Sequence, residues 1–310
     1  GNVFWNRHII HHSSEEFNLS CALRQSISEI FRFSAILMIP AAIFGIPASI
    51  FAILAPIHLF MQFWYHTRLI DKLGFLEYII VTPSHHRVHH AINKEYLDKN
   101  YGQIFIIWDK LFGTFQPELK NVKPVYGTLR PVSTWNPIVI NFKHIFQIAK
   151  DAWHAKSYID KIKIWFMPTG WRPDDVKINY PLIEVNNVGV QVKYNTDNSK
   201  LSVCWSFVQF VIANLMTLHL FILISKTPSN FNMIYLYTVF IFLHVFLYTS
   251  QLDKKNYSFF IQLINIFYGL YIIYFQNFNW FGLPELIAFF IIGYFALSLF
   301  ISHYLLQEVR

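Results

Sequence analysis

The sequence predicts an all-α, multi-pass transmembrane protein with a histidine-rich face on the cytoplasmic side and a further transmembrane helix bundle at the C-terminal end. Three observations carry that reading. Of 310 residues, 54% are hydrophobic and only 14% charged, against about 25% charged in an ordinary soluble domain. Uncharged segments of near-spanning length recur along the chain. Nine of the fourteen histidines fall before residue 91.

The first apolar segment, Phe33–Phe63, contains no Asp, Glu, Lys or Arg over 31 residues. That exceeds the ~20 residues of one helical span but is short for two. Pro40, Pro47 and Pro56 interrupt it, and Gly45-Ile46-Pro47 near its middle predicts two short helices running in and back. Both ends of such a hairpin lie on the same side of the bilayer. From residue 75 to 200 the chain turns polar, with an amphipathic piece at Phe142–Ala155 and an Asn- and Val-rich stretch, Tyr180–Lys200, read as a linker or short hairpin. Four more apolar segments follow at Leu201–Ile224, Met233–Ser250, Tyr257–Gln276 and Leu286–Leu306, each close to spanning length. The expected organisation is a catalytic region over 1–125, an interfacial connector over 126–200 and a four-helix transmembrane region over 201–310.

The net charge is +7. Lys and Arg number 3 before residue 66, 18 from His66 to Lys200 and 4 beyond. A basic middle between apolar flanks places that middle in the cytoplasm. No basic run suggests nucleic acid. Cys21 and Cys204 are far apart and predict neither a disulfide framework nor a zinc knuckle. The chain starts at Gly1 and runs directly into a histidine motif without a signal-peptide pattern, so it is expected to be the downstream part of a longer protein.

Six histidines occur in two copies of one pattern, H-x-x-H-H: His8, His11 and His12, then His86, His89 and His90. On a helix, i and i+3 share a face and i+4 lies beside them, so each copy is expected to form its own three-imidazole cluster. Imidazole suits iron, copper and zinc. His66 ends the second hairpin helix on the same side and is expected to join them. His58 lies deeper and reads as a buried histidine with one hydrogen bond. His85, out of phase with the second cluster, is expected to stand just behind the ligands. Metal-bound imidazoles pass their other N–H to a carboxylate or carbonyl. Of the nearby carboxylates Glu15, Glu16, Asp98 and Asp109, Glu16 and Asp98 are the candidates for that supporting role, although each equally suits a surface or helix-start position. His144, His154, His219, His244 and His303 are isolated. A hydrolytic zinc site needs three ligands, an open position and a base. Six or more imidazoles with few carboxylates favour two redox irons.

Histidine clusters flanking a membrane hairpin resemble the fatty acid hydroxylase/sterol desaturase superfamily. The strings His11-His12-Ser13-Ser14-Glu15-Glu16-Phe17-Asn18-Leu19-Ser20, Gln62–Thr67, Thr82-Pro83-Ser84-His85-His86-Arg87-Val88-His89-His90, Asp98–Tyr101 and Ile106–Phe115 resemble its alkylglycerol monooxygenase branch. The resemblance implies a membrane-bound, O2-dependent di-iron monooxygenase. It would hydroxylate the ether-linked carbon of an alkylglycerol to release fatty aldehyde and glycerol, with tetrahydrobiopterin as electron donor. It implies an endoplasmic reticulum membrane in a eukaryote or an inner membrane in a bacterium. It also implies an earlier H-x-x-x-H box on an upstream helix, which this chain does not contain, and so an incomplete ligand set in residues 1–310 alone. Two other readings stand beside it. One is oxidation of a sterol or acyl chain by the same irons. The other is a non-catalytic membrane protein that has lost the first box.

Overall fold

The computed structural model describes residues 2–27 and 38–307. Thirteen α-helices and no β-strand are found among them. Short helices dominate the first part: α1 (Asn2–His12), α2 (Leu19–Ala22), α3 (Ile39–Ile43), α4 (Ala48–Trp64), α5 (Pro83–His90) and α6 (Ile107–Phe112). Then come α7 (Pro137–His154), α8 (Tyr158–Phe166) and α9 (Asp174–Asn179), followed by four long helices: α10 (Lys200–Lys226), α11 (Phe231–Leu252), α12 (Ser258–Phe275) and α13 (Glu285–Gln307). The chain divides into two compact units, one of residues 1–133 with 140–194 and one of 134–139 with 195–310.

In the first unit the helix break falls at Gly45-Ile46-Pro47, where Gly45 takes φ +73°, a conformation glycine adopts without penalty. Residues 28–37, which include the start of the incoming arm, lie outside the described residues. Pro47 caps α4, but Pro56 sits inside that helix without ending it. The expectation that Pro56 interrupts the segment is therefore corrected. A proline removes one backbone donor, and an apolar helix otherwise keeps its own hydrogen bonds as the only partners at hand.

Asparagines fasten α1. The Asn2 side chain donates to the Ile164 carbonyl (3.0 Å), and Asn6 both donates to the Asn141 carbonyl (3.1 Å) and accepts from the Ile145 N–H (2.9 Å). The amphipathic piece read at Phe142–Ala155 is the body of α7. Between Tyr180 and Tyr194 there is one 3-10 turn, Val188–Val190, and no hairpin. The segment bonds to other chain instead of to itself: the Val185 N–H donates to the Leu129 carbonyl, the Tyr194 N–H to Glu15, and Lys193 pairs with Glu16.

The second unit consists mainly of α10–α13, each long and apolar enough to cross a membrane. The protein is an integral membrane protein, and the four expected spans match these helices to within about two residues. A run of uncharged polar side chains links all four helices. Gln209 of α10 donates to Gln251 of α11 (3.1 Å), Gln251 to Ser302 of α13 (2.6 Å), and both Ser302 and Ser298 donate to Gln262 of α12 (2.9 Å each). In an apolar setting such groups must find each other, because an unmet donor or acceptor costs several kcal/mol, roughly. Away from that run the interior is apolar, built on Tyr237, Phe240, Ile272, Trp280 and Phe295.

Candidate metal centre

Three elements present the histidines. The first triplet lies in α1. His66 follows the C-terminal end of α4. The second triplet forms most of α5, a helix started by Thr82 and Pro83, since proline at the first helical position gives up only an N–H that would be unpaired there. His85 completes this start. Its Nδ1 faces the Thr82 N–H (3.4 Å) and hydroxyl (3.3 Å), and its ring meets Phe115. The expectation that His85 stands directly behind the ligands is replaced by this helix-starting position.

The seven remaining candidates come together in two groups. His11, His66, His86 and His90 form one; His8, His12 and His89 form the other, with the ligand atoms of each group all within 4.8 Å of one another. The expectation of one cluster per H-x-x-H-H is corrected. Each group takes an i, i+4 pair from one helix and the i+3 histidine of the other. At about 100° per residue, i and i+4 diverge by only about 40° around the helix, while i+3 and i+4 diverge by about 100°. Two facing helices therefore keep their i, i+4 pairs together and exchange the third ring. His12 and His90 stack across the junction with ring centroids 4.1 Å apart.

The four-histidine group is the better defined. His11 Nδ1 donates to the Cys21 carbonyl (3.0 Å), and His66 Nδ1 donates to the Gln62 carbonyl. In a neutral imidazole this leaves Nε2 with a lone pair and no proton. Yet the two Nε2 atoms are 3.0 Å apart, and His66 Nε2 also lies 2.8 Å from His86 Nε2 and 3.3 Å from His90 Nε2. Converging lone pairs repel unless a cation sits among them. Nitrogens bound to one ion at about 2.1 Å and at right angles are roughly 3.0 Å apart, so the spacing fits a shared ion. A second proton on the His11 or His66 ring does not relieve this near neutral pH. Burial, helped by neighbouring histidines, lowers the pKa of His11 to about 3, and burial lowers that of His66 to about 4. Burial also holds His12, His86 and His90 well below the ordinary range. The His12 Nε2 and His86 Nδ1 atoms are buried without a hydrogen-bond partner among the described residues.

In the second group His89 donates through Nδ1 to the Lys99 carbonyl (3.2 Å). His8 is exposed, so further ligands can reach this group from outside.

The supporting carboxylates are not where expected. Glu16 is half-exposed and pairs with Arg68 and Lys193. Asp98 accepts from the Tyr101 hydroxyl (2.9 Å) and touches no ligand histidine, although the Tyr101 ring lies 6.0 Å from His89. Backbone carbonyls of Cys21, Gln62 and Lys99 take the imidazole N–H groups instead. The buried Asp109 acts at one remove: it accepts from the Tyr101 and Gly102 N–H groups and the Thr114 hydroxyl (2.7, 2.8 and 2.6 Å), fixing the turn that carries Lys99. Its charge also raises the His89 pKa against the larger lowering by burial. Two aromatic shields were not singled out from the sequence. The buried Phe17 ring stacks on His66 at 5.5 Å, and the buried Tyr65 ring lies 4.2 Å from His86. Adjacency to the histidine strings was their only signal. His58 is half-buried, with one hydrogen bond to Gln62 (3.3 Å).

Comparison with known proteins agrees with this site. The family model described as "Fatty acid hydroxylase" matches residues 1–114. Alkylglycerol monooxygenase of Homo sapiens is 42% identical over 211 residues, covering 68% of this chain and 46% of that protein. The Xenopus tropicalis protein of the same name is 37% identical over 225 residues (71% and 48%), and that of Danio rerio 40% over 177 residues (56% and 38%). The chain thus spans about half the length of the curated relatives it matches. No solved structure gives a significant match. With every ligand-grouped histidine inside it, the segment of residues 1–114 belongs to the fatty acid hydroxylase family.

Proposed function

We propose that the protein is a membrane-bound di-iron monooxygenase that hydroxylates a lipid C–H bond, with an alkylglycerol ether as substrate. The observation that carries this reading is the convergence of Nε2 atoms from three separate elements on one point, those of His11 and His66 unprotonated, with a second imidazole group beside it. His11, His66, His86 and His90 are assigned to one iron; His8, His12 and His89 are assigned to the other, together with ligands supplied by the rest of the protein. Irons held there would supply O2-dependent oxidation, with electrons from tetrahydrobiopterin.

The chain's own residues hold and orient the imidazoles and keep water from them. The carbonyls of Cys21, Gln62 and Lys99 set the tautomer and direction of the His11, His66 and His89 rings. The buried rings of Phe17 and Tyr65 wall the four-histidine group. A groove of about 480 Å³, lined by His58, Tyr101, Phe105, Trp108 and Phe112, reaches Tyr101 beside His89. Its lining is mainly apolar, with Gln103, Asp109 and Thr114 among its polar members, and the outward-facing Trp108 and Phe112 suit a lipid chain entering from the bilayer surface. The similarity to alkylglycerol monooxygenases supports the ether as the bond attacked.

The test is aldehyde release by the full-length, iron-loaded protein with O2 and reduced tetrahydrobiopterin. A 1-O-alkylglycerol should be converted and an ester-linked glycerol left intact. Turnover of sterols or acyl chains without ether cleavage would reassign the substrate. Absence of iron in an active protein would overturn the mechanism.

A further inference from the structure

The four long helices contain a cavity of about 400 Å³, within the ~300–1,000 Å³ range of small-molecule sites. It lies between α10, α11 and α13, and Trp280 and Leu283 line the end nearest the α12–α13 connection. Leu215 and Phe290, which are 60% and 66% exposed, line it as well, so it opens outward between α10 and α13. No Lys, Arg, Asp or Glu contributes to its lining.

Two buried polar side-chain atoms of its lining, His244 Nδ1 and Tyr294 Oη, lack partners among the described residues. His244 is fully buried, lines the cavity, and donates from Nε2 to the Gln209 carbonyl (3.2 Å). Its Nδ1 therefore carries a lone pair, and that atom has no hydrogen-bond partner among the described residues. An unmet acceptor inside an apolar bundle is costly, and intramembrane ionisable side chains mark functional positions more often than structural ones. Around His244 the interior changes character. Trp205 Nε1, Ser206 Oγ and Gln209 Oε1 are also buried without partners among the described residues, and beyond them lies the chain of Gln and Ser side chains that joins the four helices. Donors and acceptors are mixed here, and all are uncharged. The cavity is thus lined mainly by apolar and aromatic side chains, with the His219–Tyr237 pair on its Trp280 side and neutral polar groups toward His244.

We propose that this cavity is a second lipid site, taking a single-chain lipid with an uncharged hydroxyl head. The hydroxyl donates to His244 Nδ1 and the chain lies among Met216, Phe240, Ile291 and Phe295. A phosphate or carboxylate head finds no cation in the lining. A pure hydrocarbon leaves His244 unmet. Long-chain alcohols and monoalkylglycerols share the required chemistry, and competition distinguishes them.

The experiment is photolabelling of the full chain in phosphatidylcholine nanodiscs with a hexadecanol analogue bearing a mid-chain diazirine and a terminal alkyne. Label should appear on α10 and α13, and excess hexadecanol or 1-O-hexadecylglycerol should remove it, whichever competes better being the closer to the natural occupant. Hexadecane should not compete. His244→Leu should lower labelling about tenfold, the effect of one buried hydrogen bond. Leu215→Trp, which obstructs the mouth from the exposed side of α10 and alters no polar group, should lower it as strongly and keeps the test decisive if the His244 variant fails to fold. Labelling unchanged by Leu215→Trp, or removed equally by hexadecane, overturns the proposal.

Discussion

Arg87 grips Glu118 with two nitrogens, Nε at 2.9 Å and Nη2 at 2.7 Å from Oε2, and its remaining nitrogen donates to the carbonyls of Thr67 (3.0 Å) and Ile70 (2.7 Å). Arg87 belongs to α5, between His86 and His89, while Thr67 directly follows His66. The side chain therefore fixes His66 against its α5 partners. Replacing it by methionine should cost about 3–5 kcal/mol, because Glu118 is left as a largely buried unpaired charge. It should also lower metal content although no ligand is removed. Chemical denaturation and elemental analysis read the two effects; full metal in a destabilised Arg87→Met protein would deny the positioning role.

The exchange of rings between α1 and α5 separates variants by group, not by motif. His11→Ala and His86→Ala should affect the same iron, and His12→Ala and His89→Ala the other. Each single variant is expected to retain close to one of two irons, with matching Mössbauer signatures within each pair. If His11→Ala and His12→Ala instead gave the same spectrum, the groups would follow the motifs and the assignment would fail.

Acid should destabilise the metal-free protein in a defined window. An unfolded histidine titrates near 6.5, roughly, whereas folded His66 and His11 stay neutral down to about 4 and about 3. Between those values the unfolded chain binds more protons than the folded one, so stability is greatest above the unfolded value and falls as pH falls. The melting temperature of the chelator-treated protein should drop steadily from about pH 7 to about pH 5. A flat profile there would mean that the imidazoles are solvated.

Charge distribution sets an expected orientation. With 18 of 25 basic residues between His66 and Lys200, cysteines introduced beside His12, His90 and Lys161 should all react with an impermeant thiol reagent from the cytoplasmic side. Labelling of the first two from opposite faces would contradict a hairpin that returns the chain to one side.

Much of this arrangement was legible because it rests on periodicity. The four long helices are uninterrupted apolar runs, and the histidine positions repeat in a pattern that only a helix gathers. What escaped depends on how separate segments meet. The exchange of His11 and His89 between groups follows from two helices facing each other, which spacing along one helix does not encode. The partners of His11, His66 and His89 are backbone carbonyls, present at every position and therefore invisible in side-chain chemistry. His85 looked like a member of the metal site because of its neighbours, yet local hydrogen bonding at Thr82 claims it. The Asp98–Tyr101 and Ile106–Phe115 strings, matched for their resemblance, brace the Lys99 carbonyl through Asp109, and the first also brings the Tyr101 ring beside His89.

The wide sequence separation of the four-histidine group has a mechanical consequence. His11 and His66 are 55 residues apart, and His66 and His90 are 24 apart. An ion held by all of them would act as a cross-link closing two long loops, and the entropy removed from the unfolded chain by such closure grows with the logarithm of loop length. Metal binding would then be folding energy for the membrane-proximal unit. Stripping the ion should loosen the chain from α1 to α5 as one cooperative block, detectable as a joint rise in amide exchange at residues as distant as Asn6 and Val88.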